Sequence, residues 1–238
     1  MATVVRKERL ITAVLGWVAG YADTAGFLGL NGLFTAHVTG NLVVAGAEIA
    51  GQGGEAVWVR LGVIPVFMAA VAVTTALSRV RQLPLSDLLW FETGGLLSFA
   101  GAGVEAIPQP HQNPSAIAML AVGGAGVFAM GVQNALMREA LGTLAPTTVM
   151  TGNLTQFTMD MIQLTLVGTG ARSDYSAPKL REIRSRASKF GNALFGFVLG
   201  AASGAVMMRW CGFWSILLPA GAIALLAIDA RRCEARAR

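Results

Sequence analysis

The segment TAHVTGNLVVAGAE at residues 35–48 is apolar on both sides of Thr39-Gly40-Asn41 and then reaches a carboxylate at Glu48. Glycine relaxes a helical backbone, and a threonine or asparagine side chain accepts hydrogen bonds from the free N–H groups where a helix restarts. Broken backbone at membrane depth persists only where it is buried in protein or faces a water-filled cavity. The segment therefore predicts an interrupted helix in the interior of a membrane protein.

A second copy of this pattern lies in the other half of the chain. The segment TVMTGNLTQFTMD at residues 148–160 carries Thr151-Gly152-Asn153 and ends at Asp160. Asn153 follows Asn41 by 112 residues, close to half of the 238-residue chain, and in both copies six residues separate the asparagine from the carboxylate. Duplication explains this most simply. We expect one membrane domain built from two repeats, about 1–115 and 116–238.

The composition indicates an all-α polytopic membrane protein. Hydrophobic residues make up 54% of the chain and charged residues only 13%, with a mean hydropathy of +0.59. A soluble domain exposes more charge. The formal net charge of +5 could suggest a nucleic-acid partner, but the basic residues cluster between apolar runs and at both tips of the chain, as in cytoplasmic loops. The expected surroundings are a lipid bilayer, without a nucleic-acid partner.

Metal and cofactor sites are not supported by the residues available. The chain has two cysteines and two histidines, with neither a CxxC nor an HExxH motif. We therefore expect no metal, no disulfide framework and no cofactor.

Six segments are long and apolar enough to cross the hydrocarbon core, which takes about 20 residues. They are 10–30, 58–78, 86–107, 116–137, 190–208 and 212–230. Two more apolar segments, about 34–50 and 147–168, contain the Thr-Gly-Asn motifs. If both dip into the membrane and return, the 18 Lys and Arg residues divide 16 inside to 2 outside, the exceptions being Arg60 and Arg209. Full crossings give eight spans and a division of 14 to 4. The positive-inside rule favours six spans with both termini cytoplasmic.

The number of spans decides how the repeats are related. Three spans per half insert the second half upside down, which gives an inverted repeat with two opposed re-entrant helices. Four spans per half, the alternative, give a parallel repeat. Both arrangements occur in transporters, whose sites lie near the midplane between the halves.

The motif residues form a candidate pathway lining. In each copy the asparagine and the carboxylate are about two helical turns apart and share one helix face. A carboxylate at membrane depth costs about 2.5–3.5 kcal/mol on insertion scales, so it faces a cavity or a partner. Helix packing by small polar residues is the alternative interpretation. The candidates are Thr39, Gly40, Asn41, Glu48, Thr151, Gly152, Asn153 and Asp160.

Other polar residues lie inside the predicted spans. Asp23 is deep in the first span, and Gln133-Asn134 lies near the equivalent position of the second half. We interpret Asp23 as a proton or cation site, the alternative being a structural carboxylate between helices. Glu92 in the third span is either functional or a buried partner. The segment 171–189 carries six basic residues and predicts a basic cytoplasmic loop near anionic lipid.

Two ordered pairs of motifs carry a family resemblance. GYAD at residues 20–23 leads to FTAHVTGN at 34–41, and GVQNA at 131–135 leads to TTVMTGN at 147–153. This combination resembles the YoaK family of small bacterial membrane proteins over essentially the whole chain. The resemblance implies a bacterial inner-membrane protein. It supplies no substrate, because the family is a domain of unknown function.

These observations favour a small transporter or channel for a small polar solute or ion, proton- or cation-linked, with its pathway between the repeats. A membrane-embedded enzyme acting on a lipid-like substrate is an alternative, but no nucleophile–base pair is visible in the sequence, and we expect no enzymatic activity. A non-transporting scaffold or sensor subunit acting through the basic loop is another. Close-packing glycine faces suit contacts within one chain or between copies, so a homo-oligomer stays open.

Overall fold

The computed structural model describes residues 2–51, 54–107, 115–170 and 175–237. Over these residues the chain forms α-helices and one short 3-10 helix. The α-helices are α1 (Ala2–Gly29), α2 (Val38–Ala50), α3 (Glu55–Arg79), α4 (Leu85–Ala106), α5 (Ala116–Glu139), α6 (Met150–Gly168), α7 (Ala177–Cys211) and α8 (Leu217–Ala237). The 3-10 helix, Gly212–Ile216, joins α7 to α8. Residues 171–174 of the expected basic loop lie outside the described residues.

The helices have the character of a membrane protein. Four stretches are long and apolar enough to cross a bilayer: Lys7–Gly29, Ala56–Arg79, Ala116–Glu139 and Ala177–Arg236, the last of which contains both α7 and α8. Each of the six segments predicted as spans coincides with a helix. The all-helical class and the membrane character expected from composition are confirmed.

Glycines bring α1 and α7 into backbone contact. A Cβ atom added to Gly196 would lie 2.1 Å from the carbonyl oxygen of Ala13, and one on Gly200 would lie 2.0 Å from that of Trp17. Only glycine leaves room for so close an approach. Because the contacts advance by four residues along both helices, α1 and α7 run parallel.

Helices α3 and α5 form a second parallel pair. Gly62 lies against Leu120, and Gly131 lies against Ala70. These contacts advance together along both helices. The first helix of each half therefore packs on the third helix of the other half, a reciprocal arrangement that fits the duplication inferred from the motifs.

Ion pairs and hydrogen bonds fix which helix ends meet. Lys7 of α1 contacts Asp229 of α8 at 2.8 Å. The α3 and α5 C-termini are joined by Arg79 and Glu139. These residues define the terminal end of the bundle. The start of α4 lies there too, because the Ser86 hydroxyl donates to Glu234 of α8 at 2.6 Å. Helix α1 thus starts at the terminal end, whereas α5 finishes there, so the first helices of the two halves point in opposite directions.

At the other end, which we call the distal end, Phe213 of the 3-10 helix fills the space beside two glycines. A Cβ on Gly29, the last residue of α1, or on Gly103 of α4 would collide with the Phe213 ring. The buried core lies between the ends and includes the fully buried side chains of Tyr21 and Phe99.

One expectation about chain organisation is wrong. Residues 177–189, which the basic composition assigned to a loop, form the first turns of α7. Ser176 stands at the N-cap position with Pro178 close behind, and the following Lys, Leu, Arg and Glu are good helix formers. The resulting helix has 35 residues. It is about 52 Å long at about 1.5 Å per residue, longer than a bilayer core requires.

Candidate functional site

Asp23 binds the non-helical segment between α1 and α2, which we call the first break. Its Oδ1 accepts hydrogen bonds from the backbone N–H groups of Thr35, Ala36 and His37 at 2.8, 2.7 and 3.2 Å, and its Oδ2 lies 2.7 Å from His37 Nδ1. The residue is 6% exposed. Asp23 lies six residues before the end of α1, about 9 Å along the helix. The connecting segment therefore folds back along α1 before α2 begins.

Asn41 closes the same break from the other side. Its Oδ1 accepts from the backbone N–H of Phe34 at 2.9 Å, and its Nδ2 donates to the carbonyl of Phe34 at 2.8 Å. The side chain is fully buried. Asn41 thus satisfies the backbone N–H and the backbone carbonyl of Phe34, which lies outside the helices and has no helical hydrogen bonds.

The second break, which precedes α6, is closed by the equivalent asparagine, Asn153, but its partner is a proline. Asn153 Nδ2 donates to the carbonyl of Pro146, which lies seven residues earlier, as Phe34 lies before Asn41. Proline has no N–H, so the reciprocal bond seen at Phe34 has no counterpart. Gln133 of α5 takes the position of the α1 carboxylate: its Nε2 donates to Thr147 Oγ1 at 2.7 Å and to the carbonyl of Leu15 at 2.9 Å. Its neighbour Asn134 makes none of these bonds.

The motif carboxylate of α2 is paired with an arginine. Arg60 Nε contacts Glu48 Oε1 at 3.0 Å, while its two terminal nitrogens donate to the carbonyls of Gly32 and Asn31, both at 2.7 Å. The Arg60 side chain is 7% exposed. Arg60 therefore fastens the end of α2 to the residues that follow α1.

The motif carboxylate of α6 is paired in the same way. Arg186 of α7 contacts Asp160 Oδ1 at 2.6 Å and Oδ2 at 3.0 Å, and Gln156 donates to Oδ1 at 3.0 Å. The Asp160 side chain is fully buried. In both halves, an arginine on the next helix neutralises the motif carboxylate. Neither Arg60 nor Arg186 was predicted from the sequence as a partner of these carboxylates. One feature of the sequence distinguished Arg60: the six-span interpretation placed this basic residue outside, against the positive-inside rule.

The remaining motif residues lie apart from these contacts. Thr39, Thr151 and Gly152 are exposed on the outer side of their helices. Gly40 is half-buried, and a Cβ there would meet the Phe34 ring at 3.1 Å. The structure thus brings the asparagine and carboxylate of each motif into the protein, while both threonines face outward.

Glu92 is the exception among the buried carboxylates. Its side chain on α4 is 0% exposed, and neither carboxylate oxygen has a hydrogen-bond partner among the described residues. An unpaired charge in such a place is disfavoured by several kcal/mol, so the charged form of Glu92 is unfavourable in this interior.

Gln133 lies at the same height in the bundle as Glu92. Gly95 packs on Ala129 and Phe99 packs on Gly126, so α4 and α5 run antiparallel. Glu92 stands three residues before Gly95, and Gln133 stands four residues after Ala129. The Gln133 Oε1 is also buried without a partner. Three acceptor oxygens therefore occupy one level of the interior, contributed by one helix from each half.

The comparisons with known proteins establish the family. A model of the family described as "Protein of unknown function (DUF1275)" matches residues 11–228. The chain belongs to the DUF1275 family. YoaK proteins are members of DUF1275, so the resemblance seen in the motifs is confirmed at the level of the family. No curated protein and no solved structure matches the chain.

The buried polar groups of this DUF1275 protein differ in the kind of partner that each one has. Asp23, Asn41, Asn153 and the Gln133 amide nitrogen satisfy backbone or side-chain groups at the two breaks. Glu48 and Asp160 are neutralised by arginines. Among the described residues, no group of three or more His, Cys, Asp or Glu side chains is arranged to hold a metal ion. Among the described residues, Glu92 is therefore the buried carboxylate whose charge no neighbouring group balances.

Proposed function

We propose that this DUF1275 protein is a small proton-linked transporter or channel for a small polar solute or ion, with its pathway between the two halves. One observation carries the proposal: Glu92 is fully buried, lacks a partner among the described residues, and lies level with the unpartnered Oε1 of Gln133 on the facing helix. Membrane-embedded carboxylates of this kind mark proton relays and ion sites.

The proposed topology is six full spans with two re-entrant helices. Asp23 holds the start of α2 about 9 Å inside the distal end, and Arg60 ties Glu48 near the end of α2 to Asn31 and Gly32 at that end. Helix α2 therefore enters and leaves on one side. A full crossing would carry Glu48 about 15 Å away from its start in the other direction, beyond the reach of an arginine side chain.

Helix α6 is proposed to re-enter from the opposite side. Its start is held near Gln133, six residues before the terminal end of α5, and Asp160 is tied to Arg186. Arg186 stands ten residues before Gly196, the neighbour of Ala13, so it also lies towards the terminal end. Two opposed re-entrant helices and antiparallel first helices describe an inverted repeat.

The distribution of basic residues supports cytoplasmic termini. Arg79, Arg138 and the start of α7 lie at the terminal end, whereas Arg60 and Arg209 lie towards the distal end. Arg60 is already engaged by Glu48 and two carbonyls. The positive-inside rule then places the terminal end in the cytoplasm. The family resemblance favours the bacterial inner membrane.

In the proposed mechanism, Glu92 alternates between protonated and charged forms as the halves move. The protonated form suits a closed, dry interior, because the neutral carboxyl carries a smaller desolvation cost. The charged form requires water or a cationic solute beside it. Coupling arises because solute entry and proton release both require the seam between α4 and α5 to open. In this mechanism the solute crosses the membrane without chemical conversion.

The test is solute-dependent proton flux in proteoliposomes. The purified protein would be reconstituted around a pH-sensitive dye and exposed to gradients of amino acids, small carboxylates, sugars, ammonium and alkali cations. We expect at least one solute to move protons in the wild type. Glu92→Gln should reduce that flux at least about tenfold, a barrier change of about 1.4 kcal/mol.

Glu105→Gln serves as the matched control, since Glu105 lies on the same helix but is exposed. It should retain the wild-type flux. Wild-type vesicles that match protein-free vesicles for every solute would overturn the proposal, as would full activity of Glu92→Gln.

A further inference from the structure

A side cavity of about 610 Å³ lies between α3, α4 and α5, away from the Glu92 face of α4. Its walls include the aromatic rings of Trp90, Phe91 and Phe128, and the lining glycines Gly94 and Gly124 add no side chains to it. This volume falls within the range of about 300–1,000 Å³ that is usual for ligand pockets.

The lining favours hydrocarbon over a polar solute. Its polar side-chain groups are the Trp90 indole and the Ser98 hydroxyl, and the hydroxyl already donates to the carbonyl of Gly94 at 2.8 Å. The other lining side chains are apolar. A polar ligand would thus lose its hydration without gaining partners, a cost of about 2–7 kcal/mol per polar group.

The cavity opens on the outer surface of α4. Trp90, Gly94 and Ser98 are exposed on that surface, and a Cβ on Gly94 would meet nothing within 4 Å. In a helix that crosses the bilayer, this surface faces lipid. Acyl chains are therefore the medium at the mouth of the cavity.

The terminal end of the same three helices carries excess positive charge. Arg79 is balanced by Glu139, and Asp87 is approached by Arg231 at 3.7 Å. Exposed Arg81 and Arg138 have no carboxylate partner among the described residues. Trp90 lies five residues, about 8 Å, from the start of α4 at this end. A lipid headgroup beside these arginines would have its chain within reach of the cavity.

We propose that the side cavity binds one acyl chain of an anionic phospholipid whose headgroup is held near Arg81 and Arg138. Basic pockets between membrane helices at the cytoplasmic surface are suited to acidic headgroups. The apolar cavity then fixes the chain while the arginines select the charge. This site is separate from the proposed proton site and does not depend on transport.

The test counts lipids retained by the purified full-length protein. Native mass spectrometry would compare phosphatidylglycerol with phosphatidylcholine at matched concentrations. The wild type should retain phosphatidylglycerol with several-fold higher occupancy. Gly94→Leu should fill the cavity and lower the occupancy of both lipids several-fold. Gly101→Leu is the matched control, because Gly101 is equally open on the same helix but does not line the cavity.

A second variant tests the contribution of the arginine charges independently of the cavity and does not alter helix packing. Replacement of both Arg81 and Arg138 by Gln should abolish the preference for phosphatidylglycerol. Equal retention of the two lipids by the wild type, or wild-type retention by Gly94→Leu, would overturn the proposal. Conversion of a wild-type dimer into a monomer by Gly94→Leu would do so too, by assigning the cavity to a second copy of the chain.

Discussion

The carboxylate of Asp23 and the imidazole of His37 lie 2.7 Å apart, although His37 comes fourteen positions after Asp23 in the chain. The same carboxylate accepts three backbone N–H groups that precede α2. Both of its oxygens are therefore occupied. Asp23, which the sequence suggested as a proton or cation site, thus binds the segment before α2, and the buried carboxylate without a partner among the described residues is Glu92.

Asp23 should stabilise the folded protein strongly. We expect Asp23→Ala to lower the free energy of unfolding by about 3 kcal/mol, because it leaves buried backbone N–H groups without an acceptor. Chemical denaturation in detergent micelles would measure the change. The control is Asp229→Asn at an exposed carboxylate, which should cost less than about 1 kcal/mol. Equal stability of the two variants would show that the break does not depend on Asp23.

The pair formed by Asp160 and Arg186 should couple energetically. Because Asp160 is fully buried, we expect a double-mutant cycle with alanine at both positions to give a coupling energy of about 2 kcal/mol. The exposed pair Lys179 and Glu182, on the same helix as Arg186, should give less than about 0.5 kcal/mol. A coupling energy near zero for the buried pair would contradict this reading of the contact.

Gly200 should tolerate no side chain. Gly200→Ala places a methyl group against the Trp17 carbonyl, so we expect a loss of about 1–3 kcal/mol in the free energy of unfolding. Gly221→Ala is the comparison, since a Cβ there meets nothing within 4 Å. That change should be neutral or stabilise the helix by up to about 1 kcal/mol. The two melting temperatures, measured side by side, would decide the matter.

The re-entrant topology predicts a pattern of cysteine accessibility. With Cys211 and Cys233 replaced, single cysteines at Gly51, Gln82 and Thr143 would be treated in intact cells with a membrane-impermeant maleimide. We expect labelling from outside at Gly51 alone. Eight full spans would give the reverse pattern, because a full crossing by α2 would move Gly51, Gln82 and Thr143 to the opposite sides of the membrane.

Much of the architecture was predictable from local sequence. Apolar runs of span length located the six long helices, with ends displaced by up to eight residues. The start of α7 was missed by more, because its basic composition was interpreted as a loop. The duplication is inferred from the sequence, because each motif keeps its internal spacing. Both motif asparagines are buried, as expected, since each serves a carbonyl only seven residues earlier.

The partners of the charged groups were not predictable in this way. Gln133 donates to Leu15 across 118 residues of chain, and Asp160 meets an arginine 26 residues later. Such pairings depend on the rotation and the register of whole helices, which are set by close contacts such as that of Gly200 with Trp17.

The sequence by itself determined the membrane class, the helices, the two breaks and the family, because these follow from hydrophobic length and from residues near one another in the chain. Only the tertiary structure decided which of the buried carboxylates among the described residues have polar partners and which one, Glu92, has none. A carboxylate looks the same in sequence whether or not an arginine faces it, and the facing residue is fixed by helix packing.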